Sequence, residues 1–214
     1  MQLAKAIVGI ALVTALGYPA GATAQTCSPV TVGMDSSYAN GSESSVALGE
    51  ALGQTFYASD TLIESVTIYR YPTPNPNDEG WHLLILGTDS AGAPNTANII
   101  MDGPTSYAVN GDGVHPVAIN FEFSPPFALP HPGEYELAFL GDPCDGTAIQ
   151  MINGNNAYSG GCYWLHPRSA IIGCKVRSGP LQLADWDMIF QIRFCELAVP
   201  AESGTWGSIK ARYR

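Results

Sequence analysis

The residue types that could carry out chemistry are sparse in this chain and scattered along it. The histidines are His82, His115, His131 and His166. His115 and His166 precede proline, and His131 is flanked by Pro130 and Pro132. Such positions read as turn or loop residues. A pair of carboxylates could serve glycoside hydrolysis. The candidates are Glu122, Glu134, Glu136, Asp185 and Asp187. Alternation places Glu122 and Glu136 on outward faces, where they read as solvated sheet surface. Glu134 opens a strand after a turn. Asp187 follows Trp186, which is assigned to a buried face. It either caps the preceding turn or accepts hydrogen bonds from a ligand. The nucleophile elbow G-x-S-x-G, H-E-x-x-H, the P-loop and the dinucleotide fingerprint are not found. Asn110-Gly111-Asp112-Gly113 resembles part of a calcium loop but lacks the run of oxygen ligands. It fits a hairpin turn. Structural calcium, held by backbone carbonyls and a few acids, is the one cofactor entertained, and no other is expected.

Aromatic residues in polar loops suggest binding rather than catalysis. A sugar presents an apolar C–H face and a ring of hydroxyls. Trp or Tyr beside amide, acid or arginine side chains suits both. Asn153-Gly154-Asn155-Asn156-Ala157-Tyr158, followed by Tyr163-Trp164-Leu165-His166-Pro167-Arg168, has this composition. Trp164, Tyr158 and Arg168 are therefore the leading candidate ligand residues. Trp81, after the Pro/Asn loop, and Asp187 are further candidates.

The elements that must position these residues have a period of two. Val117-Ala118-Ile119-Asn120-Phe121-Glu122-Phe123 sets Ile119, Phe121 and Phe123 on one face. Trp186, Met188, Phe190, Ile192 and Phe194 alternate in the same way. Such alternation marks strands with one buried face. Strands are expected near 27–32, 52–58, 62–71, 81–88, 97–102, 116–124, 134–141, 147–153, 161–165 and 186–195. Turn signals such as Ala91-Gly92-Ala93-Pro94-Asn95, Ser124-Pro125-Pro126 and Pro130-His131-Pro132-Gly133 separate them. The expected fold is all-β: a two-sheet antiparallel β-sandwich of jelly-roll type, as one domain over 25–197.

Composition supports this reading. Of 214 residues, 13% are charged and 46% hydrophobic, with 23 Gly and 16 Pro. Low charge with many turn residues argues against coiled coils and against disorder. A net charge of −10 argues against a nucleic-acid partner. Residues 1–24 read as a signal peptide: Lys5, the apolar run Ala6–Leu16, then Ala22-Thr23-Ala24 before the cut. The run is too short to span a bilayer, so no transmembrane segment is expected in the mature chain. Secretion or display at the cell surface is the expected location. Five cysteines remain after that cut: Cys27, Cys144, Cys162, Cys174 and Cys195. In an oxidising compartment they are disulfide candidates. Cys27 with Cys195 would tie the ends together. Cys162 with Cys174 would close an eleven-residue loop, contributing about 3 kcal/mol. Cys144 is then the odd one. Residues 198–214 read as a linker and a short tail in which Trp206, Ile209 and Tyr213 accompany Lys210, Arg212 and Arg214. The tail is either a frayed terminus or a docking tag, and it resembles short C-terminal tails of some exported bacterial proteins.

Taken in order, several strand sequences carry a family resemblance. They are Gly53-Gln54-Thr55-Phe56-Tyr57-Ala58, Val66-Thr67-Ile68-Tyr69, Phe121 to Pro126 with Pro132-Gly133-Glu134-Tyr135-Glu136-Leu137, Tyr158-Ser159-Gly160-Gly161-Cys162-Tyr163 and Trp186-Asp187-Met188-Ile189-Phe190. Over about 50–195 the chain resembles a family of secreted bacterial jelly-roll domains with a galactose-binding-like fold. Its cysteine content and the insert Leu165–Ala184 depart from that pattern. The resemblance implies an accessory or surface module that binds glycans or other cell-envelope polymers, or mediates adhesion. The leading expectation is thus a non-catalytic carbohydrate-binding module. A structural subunit of an extracellular assembly, formed by self-association, and a glycan hydrolase are the rivals.

Overall fold

A computed structural model describes residues 27–39, 42–46, 51–70, 72, 80–107, 111–142, 148–153, 155–167, 176 and 179–197. The signal-peptide reading, the C-terminal tail, Cys144, Cys174 and Arg168 lie outside the described residues. Among the described residues no helix is long and apolar enough to cross a membrane.

The chain forms a two-sheet antiparallel β-sandwich of jelly-roll type. In chain order the strands are β1 (Cys27–Gly33), β2 (Ser42–Val46), β3 (Ala51–Ala58), β4 (Leu62–Arg70), β5 (Gly80–Thr88), β6 (Pro94–Tyr107) and β7 (Val117–Ala128). Then come β8 (Gly133–Asp142), β9 (Ala148–Asn153), β10 (Tyr163–His166), β11 (Leu181–Leu183), β12 (Asp187–Met188) and β13 (Phe190–Leu197). One sheet runs β1-β13-β4-β9-β12, with β2 on β9 and β7 on β4; the other runs β11-β10-β3-β8-β5-β6. The chain crosses between the two sheets repeatedly.

Alternation explains the core. In β3, Leu52, Phe56 and Ala58 face the opposite sheet, as do Tyr135, Leu137 and Phe139 in β8 and Trp81, Leu83 and Ile85 in β5. The opposite sheet supplies Ile63, Val66, Ile68, Phe121, Phe190, Ile192 and Phe194. The Phe56 ring lies 6.1 Å from Tyr135 and 6.5 Å from Phe194. Removing such a ring costs about 3–5 kcal/mol.

Three expectations change in detail. Val117 to Ala128 continues through Ser124-Pro125-Pro126 as strand rather than turning there. Among the described residues β7 pairs with β4 alone, and an edge strand tolerates proline because no partner needs its N–H. The expected strand 186–195 is broken at Ile189, and its buried face starts at Met188. Trp186 is 39% exposed: its N–H donates to the Leu183 carbonyl (3.1 Å), which holds it in the turn before β12. Finally, the outer face of the six-stranded sheet is itself partly buried. Ala51, Leu84, Leu86, Ala138 and Leu140 pack there with Val176, from the insert between β10 and β11.

The cysteine expectations divide. Cys195 is buried and disulfide-bonded. The register sets Cys27 opposite Leu197, on the strand beside Cys195, but the Cys27 side chain lies outside the described residues. Cys162 is a free thiol, which corrects the expected Cys162–Cys174 bond. Its position is set by Thr55. The Cys162 N–H donates to Thr55 Oγ1 at 2.8 Å, and its carbonyl accepts from the Thr55 N–H at 2.9 Å. Alkylation of the native, unreduced protein should therefore label Cys162 and spare Cys195. Peptide mass mapping that finds Cys162 in a disulfide would contradict the structure.

Candidate functional site

The site is built on the outer face of β3, the strand between β10 and β8. Its odd-numbered residues face outward: Ala51, Gly53, Thr55 and Tyr57. Thr55 pairs with Glu136 on β8, and Tyr57 pairs with Glu134. On the other side Trp164 pairs with Gly53, and His166 with Ala51. Gln182 pairs in turn with Trp164.

A cleft of about 430 Å³ opens at one end of this face. Thr55 forms its floor, Trp164 and Gln182 one side, and Ser90–Gly92 with Glu134 the other; Gly160–Cys162 close it. The loop Ser90–Gly92 is held by Asp89, whose Oδ1 accepts from the N–H groups of Ala91 (2.8 Å) and Ala93 (3.1 Å). Trp164 is fixed by burial, at 8% exposure, and by an indole N–H donated to Thr55 Oγ1 at 3.4 Å. Thr55 thus anchors both the indole and the Gly161-Cys162 segment. Gly161 is required here, since any Cβ would collide with the Thr55 carbonyl.

Next to the floor lies a buried pair. His166 Nε2 and Glu136 Oε1 are 2.7 Å apart, and both side chains are fully buried. They belong to strands on either side of β3 and meet over Gly53, where a Cβ would occupy the place of the Glu136 carboxyl. Glu136 Oε2 and His166 Nδ1 have no hydrogen-bond partner among the described residues. Burial pushes the Glu136 carboxyl above the ordinary range, against the opposing pull of His166. Glu136 is therefore not solvated sheet surface, because its outward face lies beside the Leu84–Leu140 cluster. His166 is not a loop residue but the end of β10.

The other expected residues are dispersed. Trp81 is fully buried in the sandwich core, which removes it from any ligand surface. Asp187 is also buried, and its carboxylate is committed to the protein, so the turn-holding role replaces the ligand role. Oδ2 accepts from the Tyr158 N–H at 2.8 Å, and Oδ1 from Gln54 Nε2 at 3.2 Å. Gln54 Oε1 accepts from the Met188 N–H at 2.9 Å, so one inward side chain joins the two sheets. Burial raises the Asp187 carboxyl despite these donors. Tyr158 is half-buried, packed edge-on against Phe190 with centroids 5.1 Å apart. Its phenol is pushed up to about 12, first by burial and then by the Asp187 charge. Tyr158 lies behind Gly160, supporting the cleft rather than lining it. Of the expected ligand residues, Trp164 lines the cleft. Thr55, Glu134 and Gln182 join it there. Glu134 is the one whose alternation with Glu136 was readable; Gln182 carried no signal.

Among the described residues no group of three or more His, Cys, Asp or Glu could hold a metal. Asp112 is taken up by its own turn: Oδ1 accepts from the N–H groups of Val114 (2.8 Å) and His115 (2.7 Å), and Oδ2 contacts His115 Nδ1 at 2.6 Å.

No family model matches the chain, and no curated protein matches it. Among solved structures, it is similar to a variant of the clostridial cysteine protease Cwp84 after propeptide cleavage, with 9% identity and a TM-score of 0.47 over 78% of this chain. A second similar structure holds the cysteine protease and lectin-like domains of Cwp84, a surface layer associated protein of Clostridium difficile; identity is 8% and the TM-score 0.41 over 72% of this chain. The chain spans 40% and 36% of those two chains.

Glu136 and Asp187 both hold a proton more tightly when folded than when unfolded. Stability is therefore present below the ordinary carboxylate range and is lost as the pH rises through the raised values. Glu136→Gln removes one of these two contributions. Losing the contact with His166 destabilises the variant overall, but in urea unfolding from about pH 4 to about pH 7 its deficit relative to the native protein should shrink as the pH rises. A difference that stays constant across that range would contradict the assignment.

Proposed function

We propose that this chain is a secreted or cell-surface binding module without catalysis, and that the cleft over Thr55 takes carbohydrate. The observation that carries the reading is the lining of the cleft. An immobilised indole, Trp164, stands over the Thr55 floor beside the amide of Gln182 and the carboxylate of Glu134. That mixture suits a ring with an apolar face and a hydroxyl edge. A two-carboxylate hydrolytic mechanism fits less well. Glu134 is the single carboxylate among the described lining residues, while Glu136 is bound to His166 and Asp187 lies inside the sandwich. The resemblance to secreted jelly-roll modules and the signal-peptide reading agree with this function. The expected structural calcium finds no cluster of ligands among the described residues, and chelation tests for it directly.

The test is binding of the protein to a broad glycan panel, with calcium and with chelator. A specific neutral glycan should bind. Gln182→Ala should weaken it about five- to tenfold, the cost of one hydrogen bond. Gln182 is exposed, so this variant keeps the fold; Trp164→Ala should remove binding altogether. A folded protein that binds nothing on the panel, or binding that both variants leave intact, contradicts the proposal.

A further inference from the structure

Every residue of β3 is buried except Tyr57, which is 55% exposed. An exposed aromatic is unusual on a strand flanked by two neighbours, and its place explains it. Tyr57 shares the outer face with Thr55, about 7 Å farther along the strand. It pairs across to Glu134, which lines the cleft. On its other side β10 has already ended, since the last paired residue there is Tyr163, opposite Gln54. The chain in that place is Gly160-Gly161, which has no side chains, and Gly161 could not carry one. A Cβ at Gly161 would strike the Thr55 carbonyl, and one at Gly160 would lie 2.6 Å from the Tyr158 ring. The wall between the cleft and the Tyr57 ring is thus bare main chain. Charge narrows the ligand further: Glu134 is the only charged side chain among the described lining residues.

We propose that the cleft continues past Thr55 to Tyr57 as a second subsite, and that its ligand is a linear, uncharged oligosaccharide rather than a single terminal sugar. This rests on the carbohydrate reading of the cleft and adds its length and charge. One ring sits over Thr55 against Trp164. The next stacks its apolar face on the Tyr57 phenol, which an amphipathic ring supports at little entropic cost. Glu134, level with Tyr57 and lining the cleft, repels uronate and phosphate groups.

The test is calorimetric titration of the whole chain with gluco-, manno- and xylo-oligosaccharide ladders, each from a single ring upward, and with an oligogalacturonate ladder. Affinity for one neutral ladder should rise about tenfold from one ring to the longer members. Tyr57→Ala should erase that rise and leave single-ring binding unchanged, and Tyr57→Phe should retain it. Tyr57 is exposed, so both variants keep the fold. Affinity that is flat with length, or a rise that survives Tyr57→Ala, overturns the second subsite while the cleft reading stands. Equal affinity for oligogalacturonate overturns the charge selection. If no ladder binds, the cleft reading fails and this inference falls with it. A sedimentation change on Tyr57→Ala with sugar binding unaltered makes Tyr57 a contact between copies, and also overturns the proposal.

Discussion

Two ionisable groups buried against each other organise the outer face of the six-stranded sheet. Glu136 and His166 are removed from water, and each is satisfied chiefly by the other. Breaking such a pair by removing one partner costs several kcal/mol, because the survivor is left alone in apolar surroundings. The pair can form only because Gly53, between them, has no side chain. It therefore fixes β10 and β8 relative to β3. Those are the strands that supply Trp164 and Glu134 to the cleft.

The intervening strand does two jobs with adjacent residues. Gln54 points inward and joins the sheets, donating to Asp187 and accepting from Met188. Thr55 points outward and holds Cys162 and the Trp164 indole. The cleft floor is thus as rigid as the core beneath it. Its rim comes from turns held by single acids: Asp89 holds Ser90–Gly92, and Asp187 holds the Tyr158 end of the segment that closes the cleft. A binding surface built on strands, with pinned loops around it, is the arrangement that keeps contacts in register with a ligand.

Much of the fold was legible because one buried face leaves a period of two. Ten expected strands lie where strands are found; β2, β11 and the break at Ile189 were not foreseen. Short elements of two to five residues carry too few alternations to stand out. The site was harder to read for a physical reason. Where both faces of a strand are covered, alternation no longer separates core from surface. Gly80–Thr88 is apolar almost throughout, so Trp81 resembled a binding aromatic when it is core. In Tyr135-Glu136-Leu137-Ala138-Phe139-Leu140, Ala138 and Leu140 share the outward face with Glu136. That was the available sign that the face is covered. Trp164 was readable from its polar neighbourhood. Thr55 and Gln182 were not, because only strand pairing brings them to it.

The central claim is that ligand is held on the outer face of β3, between Trp164 and Tyr57. Amide chemical-shift mapping during titration with a neutral oligosaccharide tests it most directly. The account predicts shifts concentrated at Thr55, Tyr57, Gly160, Gly161, Cys162 and Gln182, together with the Trp164 indole N–H. Shifts confined to the opposite sheet, around β4, β7 and β13, would show that the ligand sits elsewhere and contradict the claim.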